Sequence, residues 1–228
     1  MMQSGGFNLR ELARARQALL KEETAEAGRK RPPALVRLEE AHETLKRLAD
    51  LMEEIADDMP HPNRTACMHA AALLSGELPL HHADEDLGLF PVLRKRCLPE
   101  DRIDVVLDRL ETDHVDDEAA LAEIVPTLTG LAWEGELEID PSSVGYALRG
   151  FFEAQRRHIA WEQALVMPLA RVRLTADDWQ QVAAAMQANR AGPKPDALAR
   201  RHCSSAGGYE ECLRRASTFS IQIYDQDR

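Results

Sequence analysis

Histidine and glutamate recur with one spacing at two places in the 228-residue chain. His81 precedes Glu85 by four residues, and His158 precedes Glu162 by four residues. On an α-helix this spacing puts both side chains of a pair on one face, where they can reach the same ligand. Neutral imidazole together with carboxylate suits iron, manganese or zinc. The spacing therefore predicts a metal site built from two His/Glu pairs.

The two pairs belong to a longer internal repeat. In both copies a proline follows the histidine by ten residues, as Pro91 and Pro168. A second pair of segments also matches, because LEEAH ends at His42 and LETDH ends at His114. The repeat indicates two related helical hairpins. Two such hairpins predict a pseudo-twofold bundle with a binuclear site on its axis.

Helix-breaking segments separate four long helical patterns, which lie at residues 34–58, 64–96, 101–129 and 142–171. A further helix, opened by Thr175, is predicted over residues 175–190. We therefore predict an all-α protein, an antiparallel up-down-up-down four-helix bundle with extra N- and C-terminal helical segments. The predicted organisation is an N-terminal helical extension, the bundle, an additional helix and a loop-like tail, at residues 1–33, 34–171, 172–190 and 191–228.

Each of the four long helices places one histidine on its apolar stripe, which repeats at spacings of three and four residues. A single inward histidine is more often a hydrogen-bonded core residue than a ligand. Four of them occur together here, namely His42, His81, His114 and His158. Two buried glutamates on the same stripes need nearby positive charge, because an unpaired buried carboxylate is costly. No lysine or arginine shares these stripes near the histidines, so a metal cation is the predicted partner.

The overall charge of the chain excludes several classes of partner. Its formal net charge is −11, and such an acidic protein would be repelled by nucleic acid and by anionic membrane surfaces. No stretch is apolar enough for a spanning helix or a signal peptide, so we expect a cytoplasmic protein without nucleic acid or membrane partners. Its four cysteines form no C-x-x-C pair, which gives no support to a thiolate zinc site.

At these positions the chain resembles the hemerythrin-like family, whose cation-binding domain is named for its His-His-Glu pattern. The resemblance spans residues 34–171 and rests on four motifs. They are a histidine in the first helix, H-x-x-x-E before Leu-Phe-Pro in the second, Asp-His in the third, and H-x-x-x-E before Met-Pro in the fourth. The resemblance implies two iron ions with an oxo or hydroxo bridge. By the same resemblance Glu85 and Glu162 bridge the irons and the four histidines cap them, although the ligand types also admit manganese or zinc.

One position departs from the oxygen-carrying members of that family. They have a further histidine four residues after the third-helix histidine, where this chain has Glu118. This difference speaks against reversible oxygen carriage. Glu118 as an additional metal ligand would bring the cluster nearer to neutrality and favour ferric iron, and the alternative is that Glu118 faces solvent or a neighbouring helix. His82 and Asp86 are expected beside the site or at the surface, and Asp113 either orients a ligand imidazole or is an exposed acid.

The resemblance implies a non-haem di-iron protein that binds or senses oxygen, peroxide or nitric oxide, or that responds to redox state. Two alternatives stay open. One is a di-iron enzyme that reduces peroxide, oxygen or nitric oxide, and the other is a protein for iron storage, iron delivery or iron-cluster repair. The chain has no cofactor fingerprint such as G-x-G-x-x-G, and the sequence determines neither enzymatic activity nor oligomeric state.

Overall fold

A computed structural model of the chain describes residues 31–133 and 139–191. These residues form seven α-helices and no β-strand. The helices are α1 (Pro33–Asp57), α2 (Arg64–Asp84), α3 (Phe90–Arg96), α4 (Ile103–Trp133), α5 (Pro141–Trp161), α6 (Met167–Arg173) and α7 (Ala176–Ala191). The helices predicted within the N-terminal extension and within the tail after residue 191 lie outside the described residues.

Two π-helical turns join four of these helices into longer rods. Glu85–Leu89 connects α2 to α3, and Glu162–Val166 connects α5 to α6. The rods pack with α1 and α4 as an antiparallel bundle, in which α1 lies against α5 and α2 lies against α4. α7 packs across α1, α2 and the first π-helical turn. The predicted all-α bundle with an additional C-terminal helix is confirmed, and none of the described helices has the length and hydropathy needed to cross a membrane.

The helix boundaries agree with the sequence predictions to within four residues. The largest difference is at the end of α4, which continues through Gly130 to Trp133 although the sequence pattern predicted an end at residue 129. A single glycine inside a helix costs only about 1 kcal/mol relative to alanine. Leu131, which is buried beyond this glycine, extends the packed face of α4 and offsets that cost.

Side-chain caps define two of the helix starts. The side chain of Asn63 accepts a hydrogen bond from the backbone N–H of Thr65 at 2.9 Å, and so satisfies a free donor at the start of α2. At α7, Thr175 Oγ1 accepts from the N–H of Asp178, and Asp178 Oδ2 accepts from the N–H of Thr175. This reciprocal capping box explains why Thr175 opens the helix.

Each π-helical turn begins at a glutamate of the internal repeat. The N–H of Phe90 donates to the carbonyl of Glu85, five residues earlier, and Met167 donates in the same way to Glu162. A proline follows directly in both copies, as Pro91 does in the first. Proline has no N–H and clashes with the carbonyl four residues before it, so the wider turn accommodates it. The sequence repeat is thus also a structural repeat, and such turns are frequent at functional sites.

Two apolar clusters fill the bundle, one on each side of a polar layer. The first cluster is formed by α1, α2, α4 and α5 and includes Met52, Leu74 and Leu128. The second is formed mainly by α3, α4, α6 and α7 and includes Phe90 and Trp179. Along α1, along α4 and along the rod formed by α2 and α3, the histidines and glutamate of the repeat lie between residues of the two clusters. In the rod formed by α5 and α6, Ile159 of the first cluster lies between His158 and Glu162. The core therefore surrounds them with apolar side chains that limit access of water.

Candidate metal centre

Six of the residues predicted from the sequence meet in the middle of the bundle, and all of them are buried. They form two overlapping groups in which the possible ligand atoms lie within 4.8 Å of one another. The group that we call the His42 half-site contains His42, His81, Glu85 and Glu162. The group that we call the His114 half-site contains His114, His158 and the same two glutamates.

Both glutamates face both half-sites. Glu162 Oε2 lies 3.1 Å from His42 Nε2, and Glu162 Oε1 lies 3.0 Å from His158 Nε2. Glu85 Oε2 lies 3.4 Å from His81 Nε2 and 3.5 Å from His114 Nε2. Each carboxylate therefore contacts one imidazole of each half-site, and all four histidines present Nε2 to the centre. This is the arrangement that a bridging carboxylate requires.

Most of the central atoms have no hydrogen-bond partner, whereas His114 Nε2 and His158 Nε2 lie 3.2 Å from each other. All four carboxylate oxygens of Glu85 and Glu162 are buried without one, and so are the Nε2 atoms of His42 and His81. Buried polar groups in folded proteins are almost always satisfied. A cluster of unsatisfied imidazole nitrogens and carboxylate oxygens fits a cation that accepts electron pairs from all of them, and this donor set suits iron, manganese or zinc.

Protons balance the charges of the cluster when it holds no cation. Burial opposes protonation of His42, but its contacts with Glu162 and Glu85 raise its pKa to about 9. Burial likewise opposes protonation of His114, but Asp86 and Glu85 raise its pKa to about 10. Burial also opposes ionisation of Glu85 and Glu162, yet the neighbouring histidines lower the pKa of both carboxyls. A bound cation would displace the imidazole protons and take their place beside the carboxylates.

Two carboxylates lie behind the histidines of the His114 half-site. His114 Nδ1 lies 2.9 Å from Asp86 Oδ1, and His158 Nδ1 lies 3.6 Å from Asp113 Oδ2. Asp113 also forms an ion pair with Arg109 at 2.6 Å. Asp86 thus lies beside the site, which is one of the two locations expected for it from the sequence. Asp113 faces His158 Nδ1 at ion-pair distance but forms no hydrogen bond with it.

A buried polar chain next to His114 was not found from the sequence. The ring of His82 stacks on that of His114 with centroids 3.9 Å apart, and His82 Nε2 lies 3.7 Å from Asp117 Oδ2. Asp117 accepts a hydrogen bond from the side-chain amide of Gln155, while burial raises the pKa of Asp117 to about 6. Spacing along the helices could have indicated these residues. Asp117 follows His114 by three residues and Gln155 precedes His158 by three, so each shares a helix face with a predicted ligand.

Glu118 is the predicted ligand that the structure does not bring to the centre. Its side chain is exposed on α4, and it belongs to neither half-site. The inward face of α4 runs from His114 through Asp117 to Leu121, so the buried neighbour is three residues away rather than four. Glu118 therefore lies on the solvent side of α4, away from the two groups, and its role as a metal ligand stays a prediction.

A cavity of about 250 Å³ lies beside the His42 half-site. It is partly open to solvent and reaches the ring of His42 between α1 and the rod formed by α5 and α6. Its lining residues are Glu39, His42, Glu43, Gln163, Met167 and Arg171. Glu39 and Arg171 form an ion pair at 2.6 Å across it. The cavity therefore borders one half-site, whose His42 is fully buried.

The fold and the centre together define a helical-bundle protein with a buried His/Glu cation-binding site. Residues 34–170, more than half of the chain, match the family described as the hemerythrin HHE cation binding domain. The chain belongs to this family. A comparison with curated proteins and a comparison with solved structures gave no match. The resemblance expected from the four sequence motifs is thus confirmed.

Proposed function

We propose that the protein is a non-haem di-iron protein that binds or senses oxygen, peroxide or nitric oxide, or responds to redox state. The observation that carries the proposal is Glu162, whose two oxygens lie near 3 Å from imidazoles of different half-sites. A carboxylate in this position suits two cations held side by side. Two adjacent irons would supply coupled changes of oxidation state together with coordination positions for a small ligand.

The residues of the chain account for the other requirements of such a site. Four imidazoles offer Nε2 atoms, and two buried glutamates supply negative charge that balances the cations. The two apolar clusters restrict water around the site, which tunes the potential of a bound metal. The cavity beside His42 supports access by a ligand of a few atoms. The formal net charge of −11 favours a small-molecule partner over nucleic acid or an anionic membrane surface.

The proposal is tested by measuring metal content and the optical spectrum of the full chain after expression with ample iron. We expect about two irons per chain and near-ultraviolet bands that bleach on anaerobic reduction and return with oxygen. Glu162→Gln should lose the bands, while Glu153→Gln, an exposed change on the same rod, should retain them. Protein without bound metal under these conditions would overturn the proposal.

A kinetic measurement separates binding or sensing from turnover. The reduced protein is mixed with peroxide or with nitric oxide in several molar ratios, and consumption is followed over time. Binding or sensing requires that consumption stop once each cluster has reacted. Continuous consumption with a supplied reductant would instead establish the enzyme alternative.

A further inference from the structure

The two half-sites differ in what supports their imidazoles. In the His114 half-site, His114 Nδ1 lies at hydrogen-bond distance from Asp86, and His158 Nδ1 faces Asp113 at the longer ion-pair distance of 3.6 Å. The buried Nδ1 atoms of His42, His81 and His158 have no hydrogen-bond partner among the described residues. Of these three, only His158 faces a carboxylate, and His114 is the one histidine of the four whose Nδ1 is hydrogen-bonded to a carboxylate. The two copies of the internal repeat therefore differ in the contacts that support their histidines.

This difference bears directly on metal affinity. A carboxylate on the distal nitrogen of a ligand imidazole fixes the tautomer and the ring orientation, and it increases the basicity of the ligating nitrogen. His114 Nε2 is thus prepared to bind a cation, because Asp86 holds Nδ1–H. No carboxylate supports the Nδ1 atoms of His42 and His81 among the described residues, so their Nε2 atoms are the weaker donors.

Ring stacking adds to the same inequality. The ring of His114 is enclosed on one face by His82, with centroids 3.9 Å apart and planes 15° apart. Its other neighbour is Phe90, with centroids 5.9 Å apart and planes 12° apart. His114 therefore has little freedom to turn away from a bound cation. A ligand held in one orientation loses less entropy when it binds.

The cavity distinguishes the half-sites in a second way. The cavity of about 250 Å³ is lined by His42 and by none of the histidines of the His114 half-site. Gln163, which directly follows Glu162, and the exposed Glu43 also line it. His42 itself is 0% exposed, so the cavity borders the His42 half-site without opening it to solvent. The weaker half-site is thus the one next to the cavity.

We propose that the two metal positions are unequal, with a tight position in the His114 half-site and a weaker, exchangeable position in the His42 half-site. Asp86 is the positioning residue that makes the first position tight. This inference rests on the proposed function, since it requires that the cluster hold two metal ions. It predicts that metal is taken up in two steps and that a mixed-metal centre can be prepared.

The test uses cobalt(II), added stepwise to the metal-free full chain and followed by calorimetry and visible absorption. We expect two binding steps whose dissociation constants differ by about tenfold or more. His42→Ala should remove the weak step and leave the tight step with its spectrum. Asp86→Asn should weaken the tight step about 10–100-fold and shift its visible band, and Asp86→Glu should restore part of both.

The matched control is Asp116→Asn, which removes the same charge from an exposed position two residues after His114. It should leave both steps and both spectra unchanged. Two cobalt ions of equal affinity, or loss of the tight step in His42→Ala, would overturn the inequality while leaving the dinuclear site intact. Binding of fewer than two cobalt ions would overturn the proposed dinuclear function and this inference with it.

Discussion

The first hairpin of the repeat, formed by α1, α2 and α3, differs from the second, formed by α4, α5 and α6, in what covers its π-helical turn. In the first hairpin α7 lies on the turn, and a Cβ added at Gly88 would be 3.4 Å from the Cβ of Ala185. The equivalent position in the second hairpin is Leu165. There the turn borders the cavity through Gln163. One turn is closed by a helix and the other is next to an opening.

An ion pair between the end of α2 and α7 lies next to the first π-helical turn. Asp84 directly precedes the first turn, is 2% exposed, and accepts hydrogen bonds from Arg190 at 2.7 and 3.0 Å and from Asn189 at 3.0 Å. The equivalent residue in the second hairpin is Trp161, which is partly buried and packs on the second apolar cluster. The comparison shows that the repeated sequence determines the positions of the ligands, whereas contacts with residues outside the repeat make the surroundings of the two turns different.

The largest expected effects test whether the two hairpins contribute equivalent bridging carboxylates to the metal centre. Glu85→Gln and Glu162→Gln each remove a carboxylate that faces both half-sites. Both should reduce the bound metal from about two ions per chain to one or fewer, because the paired cations then lack a shared negative ligand. Metal analysis after gel filtration measures this. A variant that keeps full metal content would show that its hairpin supplies no bridge.

The next largest effect concerns the cover on the first turn. Asp84→Ala leaves Arg190 and Asn189 without their acceptor, so we expect the free energy of unfolding to fall by about 2–3 kcal/mol. Urea unfolding followed by circular dichroism measures the loss. Asp177→Asn, an exposed change in the first turn of α7, is the control and should have little effect. If the double variant with Asp84→Ala and Arg190→Gln loses as much unfolding free energy as the two single variants together, the two residues are not coupled.

A residue exchange between the copies tests the close approach of α7. Gly88→Leu installs the residue of the second hairpin, and its side chain would collide with Val182 and Ala185. We expect a loss of about 1–3 kcal/mol, which is typical of overpacking. Gly76→Leu, on an open face of the same rod, meets nothing within 4 Å and should be neutral or stabilising. Equal stabilities for the two variants would contradict the described packing of α7.

The smallest effect is expected at Glu118, which lies on the solvent side of α4. Glu118→Gln should leave metal content and visible spectrum unchanged and should alter the unfolding free energy by less than about 0.5 kcal/mol. The same charge change at the buried Asp117 serves as the contrast, since Asp117→Asn alters the contacts with Gln155 and His82. A spectral change in Glu118→Gln as large as that in Asp117→Asn would show that Glu118 contributes to the metal site.

Much of the fold and the centre could be predicted because both follow from local spacing. A period of about 3.6 residues determined which face of each helix is inward, and so predicted the four long helices and the positions of His42, His114 and the two His/Glu pairs. The repeat of histidine, glutamate and proline determined that the hairpins are related. These features depend on residues within two or three turns of one helix, so no knowledge of the neighbouring helices was needed.

What the sequence left undetermined depends on how the helices are rotated against one another. Glu118 and Asp117 are adjacent in the chain, and only the rotation of α4 in the bundle decided that Asp117 is the buried one. The same holds for the contact of Asp86 with His114, which joins residues 28 positions apart. Tertiary packing alone placed α7 over one π-helical turn and left a cavity beside the other. Spacing along the chain thus determined which residues could form the centre, whereas packing between helices decided which of their nitrogens are supported and which half-site borders the cavity.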